Sequence, residues 1–81
     1  MTLDQLPVGG LALVVALHGE PQLRERLAEL GFTRGTRVRL VRRAPLGDPL
    51  HVRVRSGAFA VRVDEARCIE IGALQEPEAR A

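Results

Sequence analysis

From Leu11 to Leu17 the chain is continuously apolar (LALVVAL). A short unbroken apolar run bounded by turn residues predicts a strand buried on both faces. Pro7, Gly9 and Gly10 close an entry segment, residues 1–10, and turn the chain into this strand, which His18-Gly19 ends. A helical period follows. Pro21 suits a first helical position, Leu23, Leu27 and Leu30 share one face, and Gly31 is a C-terminal stop. Past Gly31 the period shortens to two. Arg34-Gly35 turns the chain, and Thr36-Arg37-Val38-Arg39-Leu40 alternates as a half-buried strand does. The alternation slips at Val41-Arg42-Arg43, which predicts a bulge. Pro45–Pro49 is a turn-rich loop, Leu50–Arg55 alternates again, and Ser56-Gly57 turns tightly. Ala58–Val63 reads as a fourth strand with Phe59, Val61 and Val63 on one face. Asp64–Ala66 reads as a short turn or one helical turn, and Cys68–Ile71 as a fifth strand. From Gly72 onward there is no apolar period, and this end is expected to be mobile.

The fold class these elements predict is mainly β: a small β-barrel of about five strands, with one helix between the first and second strands. Closing the sheet removes the exposed edges that an open sheet of this size would leave. The expected inward set is Leu13, Val15, Leu17, Leu27, Leu30, Val38, Leu40, Val52, Val54, Phe59, Val61, Ile69 and Ile71. The domain is expected to span residues 1–72, with a flexible tail over 73–81. Leu11–Leu17 is too short for a membrane-spanning helix, which takes about 20 residues. It also lacks the basic segment that precedes a signal-peptide core, since Asp4 is the sole charged side chain before it.

Composition narrows the function. The chain has 81 residues, 46% hydrophobic and 27% charged, enough for one folded domain and too few for a catalytic domain with a separate cofactor domain. All 12 basic residues are Arg, yet the net charge is only +2, less than a strong polyanion binder carries. Phe32 and Phe59 are the only aromatic residues, so a platform for stacking bases is missing. Cys68 is alone, which leaves no intrachain disulfide and fits a reducing compartment.

No Ser or Cys nucleophile has a base nearby in the chain, and no glycine-rich phosphate loop is present, so the expected role is not enzymatic. Two surfaces are candidates for binding a partner. One is the loop Pro45, Leu46, Gly47, Asp48 and Pro49, whose stiffness lowers the entropic cost of docking. Its structural reading is a rigid connection in which Gly47 takes positive φ and Asp48 bonds its own backbone. The other is the pair of rows Arg37, Arg39, Arg53 and Arg55, with His51, on one side of neighbouring strands; a solvated exterior is the simpler reading, with Glu70 as a compensating acid. A cleft between helix and barrel is a third place for an apolar segment. For metals the chain offers His18, His51, Cys68 and scattered acids, without the clustered ligands a transition-metal site favours. No metal site within one chain and no cofactor are expected; a site shared between two copies of the chain, as a homo-oligomer, stays open. Cys68 is read as packing at a barrel end.

The ordered set Leu27-x-x-Leu30-Gly31-Phe32-x-x-Gly35, an alternating strand, Ala44–Leu50, Val61-Arg62-Val63-Asp64-Glu65-Ala66 and Ile69-Glu70-Ile71 resembles the FeoA family, small cytoplasmic proteins of bacterial ferrous iron uptake. Leu6-Pro7-Val8-Gly9 fits the family's opening, and the match runs from about Leu3 to Ile71. The usual Leu-Arg near the fourth strand is Val61-Arg62 here. The resemblance implies an SH3-like barrel, a cytoplasmic location, and docking on FeoB, the membrane iron transporter. Direct Fe2+ binding as a sensor or chaperone, and binding of nucleic acid by an Arg-edged barrel, are the alternatives.

Overall fold

The computed structural model describes residues 1–73. A single 3₁₀ turn, Leu3–Gln5, precedes β1 (Leu11–Leu17), α1 (Pro21–Leu30), β2 (Arg37–Arg43), β3 (Leu50–Val54), β4 (Gly57–Val61), α2 (Val63–Ala66) and β5 (Ile69–Ala73). The strands form one five-stranded sheet in the order β4-β3-β2-β1-β5, every pairing antiparallel. β5 runs two residues past the expected end, and residues 74–81 of the expected tail lie outside the described residues.

β1 is the central strand, and its side-chain alternation differs from the expectation. Ala12 and Val14 are buried, whereas Leu13 is half-buried and Val15 is 37% exposed. A uniformly apolar run offers either face to the core, and the register decides between them. Ala12 stands opposite Val38 and Val14 opposite Ile71, both buried. The register with β5 then shifts between Val14 and Ala16. This bulge leaves Val15 unpaired and reverses the parity, so Leu17, opposite Ile69, packs against the core after all. β1 is therefore buried on one face, not on both.

The expected bulge in β2 is present: the register with β3 shifts between Leu40 and Arg42, and Val41 is the exposed extra residue.

The sheet is not hydrogen-bonded into a closed barrel; β4 and β5 do not pair. The chain from β4 to β5 coils through α2 across the opening instead of running alongside β4. The entry segment then supplies what strand closure would have. Thr2 bridges Glu70, and the Ile71 N–H donates to the Met1 carbonyl at 2.8 Å, covering the outer edge of β5. The 3₁₀ turn packs against α2, with Leu3 and Ala66 both fully buried. Arg43 donates to the carbonyls of Asp4 (2.8 Å) and Leu6 (3.1 Å), satisfying backbone acceptors at the end of the turn.

α1 ends in a Schellman arrangement. The Phe32 N–H donates to Leu27 O and the Gly31 N–H to Ala28 O, both at 3.0 Å, with Gly31 at φ 114°. The motif brings the residue after the glycine onto the last buried helical turn, and Phe32 and Leu27 are both in the core. The Phe32 ring packs against Phe59, with centroids 6.3 Å apart. Ser56 Oγ donates to Leu30 O at 2.7 Å, tying the helix end to the β3–β4 turn. A methyl group at Gly31 would collide with that hydroxyl and would also force an L-residue to positive φ. Gly31→Ala is expected to cost about 1–3 kcal/mol, read as a lower urea midpoint with an unchanged denaturant slope.

Candidate functional site

The β2–β3 connection is a braced loop. The Ala44 N–H donates to Pro49 O at 3.0 Å and the Gly47 N–H to Ala44 O at 2.7 Å, with Gly47 at φ 90° and the Asp48–Pro49 peptide cis. Asp48 does not bond its own backbone, as the residue pattern suggests it would. Its Oδ1 accepts from the Val63 N–H at 3.1 Å, at the start of α2, and faces Arg62 Nε at 3.5 Å. Asp48 therefore fastens the loop to another element and satisfies one of the free N–H groups of a helix start. The product is an apolar tip on a tethered base: Leu46 is 96% exposed.

The arginine rows form at the other end of the same hairpin. Val38, Leu40, Val52 and Val54 face the core, so alternation sends Arg37, Arg39 and Arg53 outward. Arg39 lies directly opposite Arg53 on one side and Leu11 on the other. Arg34 and Arg55 join them around a hollow of about 540 Å³. The four arginines expected to share a surface line one hollow, and His51, expected with them, does not. The Pro45–Pro49 loop does not join them: β2 has seven residues, so about 20 Å of strand separates Arg37 from the loop. Arg34 was read only as part of a turn. Its place on the rim follows from the Gly35 N–H donating to Val14 O (2.8 Å) and the Val14 N–H to Thr36 O (2.9 Å), which carry the β1–β2 ladder back to that turn.

Among the described residues no carboxylate forms an ion pair with these five arginines; Arg39 donates to Gly9 O at 2.9 Å. Glu70 does not compensate them as expected. It pairs with His18, with Nε2 to Oε1 at 2.7 Å, because Glu70 stands opposite Ala16 on the far side of β1. The other ion pairs also lie elsewhere: Arg26–Glu65, Arg62–Asp48, and Arg67 with Asp64 and Asp4.

The cleft beside the helix exists as a shallow hollow bordered by Leu17, Pro21, Ala28 and Phe32. Cys68 is half-buried, and its carbonyl accepts from the His18 N–H at 2.8 Å. No group of three or more His, Cys, Asp and Glu side chains is arranged to hold a metal ion among the described residues. Nor is any helix among them long and apolar enough to cross a membrane.

The open five-stranded sheet plugged by a 3₁₀ turn defines a small SH3-like domain. Residues 1–72 match the FeoA domain model, and the chain belongs to that family. It is 34% identical over 71 residues to the Fe(2+) transport protein A/Fe(2+) transporter FeoB fusion protein of Porphyromonas gingivalis, covering 88% of this chain and 8% of the fusion. The solution structure of the FeoA protein from Chlorobium tepidum superposes with a TM-score of 0.86 at 35% identity, covering 100% of this chain and 79% of that one. The crystal structure of Stenotrophomonas maltophilia FeoA complexed with zinc, described as an SH3 domain protein, gives a TM-score of 0.78 at 38% identity and 89% coverage of both chains.

Directly opposed like charges oppose folding. Arg53→Gln, which relieves the repulsion from Arg39, is expected to stabilise the domain by about 0.2–1 kcal/mol. The gain should be read as a higher melting temperature at low ionic strength that shrinks as salt screens the pair.

Proposed function

We propose that this protein is an accessory component of bacterial ferrous iron uptake that acts without catalysis, docking on the cytoplasmic part of a FeoB-type transporter and modulating it. The observation that carries the reading is the Porphyromonas fusion, in which a region 34% identical to this chain shares one polypeptide with the transporter. Two domains joined in one chain meet at high effective concentration, which suits domains that act on each other.

The Pro45–Pro49 loop is the docking element this reading assigns. Leu46 supplies an exposed apolar anchor, and Asp48, through Val63 and Arg62, holds the loop before the partner arrives. A preformed loop loses less entropy on binding than one that must be ordered. The metal-binding alternative draws on the zinc complex of the Stenotrophomonas protein; in this chain His18 with Glu70 is the one His–carboxylate contact among the described residues.

Titration of the full chain against the transporter's cytoplasmic domain tests the assignment. Wild-type protein is expected to bind. Leu46→Asp is expected to bind about tenfold or more weakly while keeping its melting temperature, because burying an unpaired carboxylate at an apolar contact costs more than 1.4 kcal/mol. Absence of association in every nucleotide state of the transporter domain would sink the reading.

A further inference from the structure

The arginine hollow is chemistry that docking through Leu46 leaves unused. Arg34, Arg37, Arg39, Arg53 and Arg55 converge on it with Leu11 between them, and its volume of about 540 Å³ is within the range of small-ligand sites. The chain as a whole carries only +2, so this is a local concentration of charge and not a general excess. Among the described residues, Glu25 and Glu29 are exposed on α1, Asp4, Asp48, Asp64 and Glu65 pair with arginines outside the hollow, and Glu70 pairs with His18. The concentration opposes folding, since Arg39 and Arg53 are direct cross-strand partners. An anion seated between them offsets that repulsion.

We infer that this hollow binds a soluble, phosphate-dense anion of nucleotide size. Guanidinium groups are planar donors that match phosphate oxygens in pairs, and several lining one hollow suit contiguous phosphoryl groups. An acidic peptide strand fits less well, because its same-face carboxylates repeat only every two residues, about 6.8 Å apart. A planar lipid surface would meet the rim and leave the recess empty. The rim is fixed, since Gly35 and Thr36 are hydrogen-bonded to Val14. An extended nucleic acid would gain no stacking here, because Phe32 is buried and Phe59 packs against the core. Leu11 and the arginine stems leave apolar surface for an organic group beside the phosphates.

Calorimetric titration of the full chain with ATP, GTP and inorganic triphosphate, at roughly 50 and 200 mM salt, tests the inference. All three are expected to bind, more weakly at the higher salt. Arg37→Gln/Arg53→Gln is expected to lose affinity about tenfold or more, in a protein that remains folded because the change relieves repulsion. Arg26→Gln, on α1 and outside the hollow, is expected to bind as wild type does. Amide resonances of Leu11, Gly35 and Thr36 should shift on addition of triphosphate while Gly47 stays put. No binding of any of the three at low salt overturns the site. So does an equal loss in Arg26→Gln, which would mean a diffuse ion atmosphere. Sedimentation with anionic vesicles, or retention on a single-stranded oligonucleotide, that triphosphate fails to compete away overturns the soluble-anion assignment. None of these outcomes depends on whether the transporter binds.

Discussion

The register of β1 is the constraint on which the rest of this domain depends. β1 is the one strand between two others that are distant in sequence, with β2 beyond a helix on one side and β5 at the far end of the domain on the other. Because side chains alternate with period two, one residue of slippage on either side would exchange inner and outer faces. The two pairings fix Ala12 and Val14 inward, and the bulge at Val15 lets the end of the same strand deliver Leu17 to the core as well. The same register places Leu11 beside Arg39 and Leu13 beside Arg37 on the outside. The core and the arginine hollow are thus two faces of one pairing decision.

Closure is achieved by packing more than by pairing. A strand at either edge of an open sheet exposes unpaired backbone groups. Here β5 is covered by Met1–Thr2, and the opening beside it is filled by Leu3 and Ala66. Arg43 makes this plug part of the sheet: a single guanidinium on β2 holds two carbonyls of the entry segment. Most arginines of this chain serve the surface, but this one carries fold-level connectivity.

What was legible in the residues follows from how strongly each position is constrained locally. Pro21, the Leu stripe and Gly31 bound α1 without reference to anything distant. The alternation around Val38 and Val52 fixed the outward arginines, and its slip at Val41 marked the bulge. β1 carries no such information, because every residue in LALVVAL is acceptable on either face, so its parity was decided by partners far along the chain. Phe32 was available from the Schellman pattern, in which an apolar residue after the glycine meets the last buried helical turn. Leu3 was not, because three residues of 3₁₀ turn have no period to read. The separation of the loop from the arginine rows, and the pairing of Glu70 with His18, required the registers of β2 and β5, which no local pattern encodes.

That separation gives the β2–β3 hairpin two ends with different physics. At the loop end Leu46 offers an apolar contact whose strength comes from removing surface from water and responds weakly to salt. At the other end opposed arginines offer a field that decays within a Debye length, about 8 Å at physiological ionic strength. The hairpin between them is about 20 Å long, so the field at one end is largely screened before it reaches the other. A partner held at the loop and an anion held in the hollow therefore exert little direct electrostatic influence on each other. Any coupling between them has to travel through β2 and β3, whose register is pinned by Val38, Leu40 and Val52 in the core. With the strands fixed in that way, binding at one end would leave the other end unchanged unless a single large partner reached both.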